Sequence, residues 1–139
     1  MTPAQRAREC LTVWPDLSPG PATCGTGQAL RSSHGEIVHF HTGHDVDLHL
    51  TDRSLGRFSA DLGASTAIRL VPGSRWVTVH LDCDADVDLL LSLVSVALKA
   101  QQTDGTRAVA DGCNLHRVTV LARQPRPAKT LRWRVGRTA

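Results

Sequence analysis

EIVHFHTGHDVDLHLT, residues 36–51, places four histidines and two aspartates among sixteen positions, and sets Val38, Phe40, Val46, Leu48 and Leu50 between them. A strict apolar–polar alternation is the pattern of a half-buried β-strand. The GH pair in the middle is the natural turn, so the stretch is a hairpin. Side chains alternate faces along a strand, so the register of the hairpin decides which residues share a surface. With Gly43 and His44 as a two-residue turn, the apolar residues split between faces. With Thr42–His44 as the loop, His41 faces Asp45, His39 faces Asp47, and Ile37 faces His49. The five apolar side chains then share one face. Burying them together contributes on the order of 10 kcal/mol before entropy, at about 2 kcal/mol each. That margin selects the second register.

A second hairpin follows the same rule. TAIRLV and WVTVHLD flank the turn PGSR. With those four residues as the loop, Val71 faces Trp76. Ile68, Leu70, Val77, Val79 and Leu81 form the apolar face. Arg69, Trp76, Thr78, His80 and Asp82 form the other. Each hairpin precedes a helical pattern. DRSLGRFSADL carries Leu55, Phe58 and Leu62 on one side, and a long apolar segment runs from about Asp84 to Gln101. Acids at 84 and 86 suit the start of that helix. Residues 3–13 form a short opening helix, with Thr2 as cap and Pro3 in the first turn. WPDLSPGPATCGTG, with three prolines and three glycines, is expected as loop. QALRSS can form a short strand.

The expected fold is therefore α+β. Its core is ββα-ββα, a four-stranded, mainly antiparallel sheet with two helices packed on one face, plus the short N-terminal helix. The uncovered face displays His39, His41, Asp45, Asp47, His49, Arg69, Trp76, Thr78, His80 and Asp82.

The length of 139 residues suits one domain. Residues 1–102 hold the α+β pattern and 103–139 form a basic extension. The extension has eight Lys or Arg against two Asp, while residues 1–102 carry eight basic and eleven acidic groups. HRVTVLA and TLRWRVG are either edge strands or part of a basic tail. The sequence does not favour nucleic acid as a partner, because a solubilising tail or edge strands account for those charges more simply. The apolar run Leu89–Leu98 is about half a membrane span, and no secretory signal is visible. A cytoplasmic location is the expectation. Cys10, Cys24, Cys83 and Cys113 form no CxxC pair, so they are expected as reduced structural thiols, though a Cys24–Cys83 approach is open.

Four uses of the polar face stay open. It is a solvated surface with cross-strand His–Asp pairs. It is a metal site, with His39, His41, Asp47 and His49 as ligands and a divalent transition metal, zinc or iron, as cofactor. It is a metal-free acid–base or small-ligand site, in which Arg69 holds an anion, Trp76 stacks and His80 titrates. The last use is nucleic-acid binding together with the basic extension. No GxSxG, GxGxxG or Walker loop is present. Glu36 begins a strand and is expected to be solvated, and His44 in the turn is expected to be exposed.

HGEIVHFH with DVDLHLT, followed by STAIRLVPGSRWVTVHLDCDADVDLLLSLVSVALKA, resembles a family of small proteins called the luciferase domain or luciferase family, with a branch in high-GC bacteria. The likeness runs from about Trp14 to Lys99. Fungal-type members share a Glu-x-x-His-x-His, Asp, His order, which falls here on Glu36, His39, His41, Asp45 or Asp47, and His49. The resemblance does not imply the flavin-dependent (β/α)₈ luciferases, which are more than twice as long. Residues 53–64 lack the Trp-Gly-x-x-His segment of the fungal-type members.

Overall fold

The computed structural model describes residues 1–104, 113 and 114. The candidate strands HRVTVLA and TLRWRVG lie outside the described residues. Elements follow in the order α1 (Pro3–Thr12), β1 (Ser18–Pro21), β2 (Gln28–Ser32), β3 (Gly35–Phe40), β4 (Asp45–His49), α2 (Asp52–Arg57), α3 (Ser59–Ala64), β5 (Ile68–Leu70), β6 (Trp76–His80) and α4 (Asp84–Asp104). The class is α+β, but the sheet has six strands, not four, in the order β1-β2-β3-β4-β6-β5. Every neighbouring pair is antiparallel. No described helix is long and apolar enough to cross a membrane.

Both hairpin registers agree with the alternation argument. His39 pairs with Asp47 and Phe40 with Val46. Ile68 pairs with Val79 and Leu70 with Val77. β4 and β6 then join the two hairpins, with Leu48 opposite Val77 and Asp47 opposite Thr78. The apolar residues meet α1 and α4 in one core, which includes Ala7, Leu11, Val38, Phe40, Leu48, Val77, Val79, Leu90, Val94 and Ala97. Leu70 is the exception at 41% exposure. It sits on a three-residue edge strand.

The added strands come from the proline-rich stretch expected as loop. Prolines are tolerated in β1 because it is an edge strand, whose outward N–H groups have no partner to lose. Pro19 and Pro21 lie two apart and so point their nitrogens the same way, while Ser18 and Gly20 keep theirs. β1 and β2 close over the loop Ala22–Gly27, where the Ala22 amide donates to the Gly27 carbonyl at 3.2 Å. Gly27 has φ +80°, and a Cβ there would stand 2.0 Å from the Phe40 carbonyl oxygen. The hairpin tip is thereby laid against the end of β3.

The helices start where the sequence signals them. Thr2 and Gln5 form a reciprocal capping box on α1. The Asp86 carboxylate accepts the Asp82 and Cys83 amides at the start of α4. The helix expected as one piece over 52–62 is two, broken at Phe58, whose φ of −105° and ψ of 14° leave the helical region.

The polar face is uncovered only in part, at Arg69, His80 and Asp82. Glu36, His39, Asp47, His49, Trp76 and Thr78 are all buried. Among the described residues, the β1–β2 tip and residues 113–114 lie over the buried part. Asn114 donates its amide to Asp47 Oδ2 at 2.8 Å, and its side-chain nitrogen to the Trp76 carbonyl at 2.8 Å and to Thr78 Oγ1 at 3.2 Å. Its side-chain oxygen accepts from Ser74 at 2.5 Å.

Candidate metal centre

The centre begins with an irregularity in β3. Leu30 pairs with Val38, but the next residue, Arg31, pairs with Glu36, so Ile37 is an extra residue in the ladder. A bulge of this kind re-aims a side chain. Alternation alone would set Glu36 with Val38 and Phe40. The bulge instead brings its carboxylate to His39, with Oε1 2.6 Å from Nε2. Arg31 donates to Oε2 at 2.7 Å. Thr23, from the β1–β2 tip, donates both its amide and its hydroxyl to Oε1 at 3.1 Å. Glu36 is 2% exposed, so its expected solvation is overturned. Burial by itself raises the Glu36 pKa. The Thr23 amide, Arg31, His39 and the Thr23 hydroxyl outweigh it, and the carboxyl lies below its ordinary value.

An ionised Glu36 only accepts, so His39 Nε2 must carry the proton. In the neutral ring Nδ1 is then the unprotonated nitrogen, with its lone pair free. Nδ1 is buried and has no hydrogen-bond partner among the described residues.

His41 repeats this arrangement one step along the strand. Its Nδ1 lies 3.6 Å from Asp47 Oδ2. Its Nε2 lies 3.5 Å from both Cys24 Sγ and Cys113 Sγ. Burial pushes the His41 imidazole below its usual pKa, against the pull of Asp47. Burial also raises Asp47, against its Thr78 hydrogen bond at 2.6 Å, His41 and the Asn114 amide. A neutral imidazole is the form that binds a metal.

Ligand atoms of Cys24, His39, His41 and Cys113 lie within 4.8 Å of one another. A zinc tetrahedron with Zn–S of about 2.3 Å and Zn–N of about 2.0–2.1 Å has an N···S edge of about 3.6 Å. The two 3.5 Å separations at His41 match that edge. Each histidine also has a carboxylate at its other ring nitrogen, the usual outer partner of a metal-bound histidine.

The residues expected as ligands fall in different places. His39 and His41 are in the cluster. Asp47 stands behind His41. His49 lies across the Trp76 ring, which packs on His39 at 4.6 Å and on His49 at 5.3 Å between centroids. Gln101, near the end of α4, holds His49 with Nε2 3.1 Å from Nδ1, and accepts from Ser32 at 3.0 Å. Trp76 is 1% exposed. Arg69 is exposed on β5, opposite Thr78. His80 is exposed beside Asp45 at 2.7 Å and Asp82 at 3.0 Å. His44 is exposed, and its Nδ1 donates to the Leu81 carbonyl at 2.8 Å.

Sequence reading missed Cys24 and Cys113. The two stand far apart in the chain, with no motif spacing, and only the hairpin tip and the seating of Asn114 bring them together. Cys83 is exposed, and none of the four cysteines is in a disulfide.

Residues 34–97 match the family model of the luciferase domain. No curated protein and no solved structure matches the chain. The matched segment contains both histidines of the cluster, with Cys24 before it and Cys113 after it. Through that segment, the chain is similar to the luciferase-domain family.

Proposed function

We propose that this protein is a metal-binding domain that holds one Zn²⁺ through Cys24, His39, His41 and Cys113. Two thiolates and two imidazoles are a donor set that suits Zn²⁺ over the oxygen-seeking cations. Four protein ligands leave no open position for water or substrate, which fits a structural role better than a catalytic one. The observation that carries the reading is His39 Nδ1, a buried lone pair with no partner among the described residues, beside two thiols and a neutral imidazole. Leaving such a group unpaired costs about 1–3 kcal/mol, and a bound cation would remove the cost.

In this role the ion ties three separate segments together. Cys24 brings the β1–β2 tip, His39 and His41 bring β3, and Cys113 brings the chain beyond α4. Asp47, Glu36 and Trp76 hold the histidines in place. The test is elemental analysis of protein purified without a histidine tag, followed by Co²⁺ substitution. One ion per chain is expected, and the Co²⁺ form should show the strong visible bands of a tetrahedral site with thiolate charge transfer. Wild-type protein that takes up no divalent ion would sink the proposal. So would Cys24→Ser and Cys113→Ser variants that bind as tightly as wild type.

A further inference from the structure

Cys24 and Cys113 differ from the other two cysteines in more than their place in the cluster. Cys10 and Cys83 are exposed, on α1 and just before α4. Cys24 is half-buried and Cys113 is buried, and their sulfurs lie within 4.8 Å of each other. A disulfide needs an S–S distance of about 2.05 Å, so a closure of under about 3 Å joins them. Cys24 is followed by Gly25, and a side chain at Gly25 would meet nothing within 4 Å, so the tip has open space beside it.

We infer that Cys24 and Cys113 form a redox-modification site that takes a hydroperoxide as oxidant, and that oxidation of this pair competes with metal binding. The inference rests on the zinc reading for its coupling to metal, but the thiol pairing stands on geometry alone. Cys24 is the attacking thiolate, being the more accessible of the two. Its sulfur bonds to one peroxide oxygen, the O–O bond breaks, and the other oxygen leaves as water after taking a proton. Cys24 is then a sulfenic acid. The Cys113 thiolate attacks that sulfur, the S–S bond forms, and hydroxide leaves and is protonated. The two thiolates give up two electrons, and hydrogen peroxide becomes two waters using two protons from solvent, while an organic hydroperoxide becomes its alcohol and one water. The disulfide carries no charge, so the ion keeps only two imidazoles and departs. Reduction by a dithiol would restore both thiolates and the site.

The experiment uses the full chain, once loaded with Zn²⁺ and once stripped by a chelator, each treated with hydrogen peroxide. Released zinc is followed with a chromogenic chelator, and disulfides are mapped by mass spectrometry without reduction. The expected result is zinc loss in step with a Cys24–Cys113 linkage, marked by the mass of two lost hydrogens and reversed by dithiothreitol. A Cys10→Ser, Cys83→Ser double variant should behave as wild type. The stripped protein should form the same linkage faster, since no ion holds the thiolates. Cys24 ending as sulfinic or sulfonic acid with no linkage would overturn the inference, as would peroxide-treated protein that keeps its zinc and both thiols. If the protein takes up no zinc, the metal reading fails by itself. The disulfide map of that same sample then decides the thiol pair: linkage supports it, and linkage through Cys10 or Cys83 instead refutes it.

Discussion

His39 and Glu36 share a 2.6 Å hydrogen bond although they stand three apart on one strand, a spacing that regular alternation would put on opposite faces. The bulge at Ile37 makes the contact possible. It fixes the tautomer of His39 and so decides which ring nitrogen is offered to the cluster.

Glu36→Gln tests that role. The amide keeps the shape but loses the charge that faces His39 and Arg31. Loss of an outer carboxylate typically weakens metal binding about 10–100-fold. Competition with a chelator of known affinity measures it. Binding as tight as wild type would show that the carboxylate does not orient the ligand.

Gly25 and Gly27 offer a paired test of the hairpin tip. Both have positive φ, +84° and +80°. At Gly25 an added methyl meets nothing within 4 Å, so Gly25→Ala bears only the backbone penalty of about 1–2 kcal/mol. At Gly27 the methyl would collide with the Phe40 carbonyl, and the tip must lift from β3. Gly27→Ala should therefore lower metal affinity as well as the melting temperature, because Cys24 and Thr23 ride on the tip. Equal behaviour of the two variants would contradict the close approach.

Asn114→Ala asks whether the chain beyond α4 is seated on the sheet. The side chain donates to Trp76 O and Thr78 Oγ1 and accepts from Ser74. Stranding those buried partners should cost about 1–3 kcal/mol in urea unfolding. A change within about 0.5 kcal/mol is what an exposed position would give, and would remove the lid from the polar face.

The four strands of the two central hairpins were legible in the sequence because their signal is local. Val38 and Phe40 must share a face with Val46 and Leu48, and only one register allows it. The same reasoning set Val71 opposite Trp76. The covering of the polar face was not legible, because its cause is non-local. A solvated face and a face capped by Asn114 have the same alternation. Trp76 was the one warning, since so large an apolar ring gains little in water. Glu36 was misplaced because a bulge leaves no mark in the pattern of apolar residues. The histidines left a metal site among the open readings, but Cys24 lay in a stretch that its prolines and glycines marked as loop. That stretch folds as a hairpin because an edge strand tolerates proline.

His80 Nδ1 and Nε2 contact Asp45 at 2.7 Å and Asp82 at 3.0 Å, so both nitrogens donate only when the ring is charged. The hydrogen bond to Asp45 raises the His80 pKa, burial opposes it, and the charges of Asp45 and Asp82 add to the rise. In the unfolded chain the value is about 6.5. The pair therefore stabilises the fold fully below pH of about 6.5, and the contribution fades as pH rises through the higher folded value. The side chain is half-exposed, so the effect should stay within about 1 kcal/mol. His80→Asn keeps a polar group of similar reach but cannot carry the charge. Thermal melts of wild type and variant should differ most near pH 5.5 and converge by pH 9. A gap that widens with pH would mean that His80 is held neutral, which the two carboxylates beside it forbid.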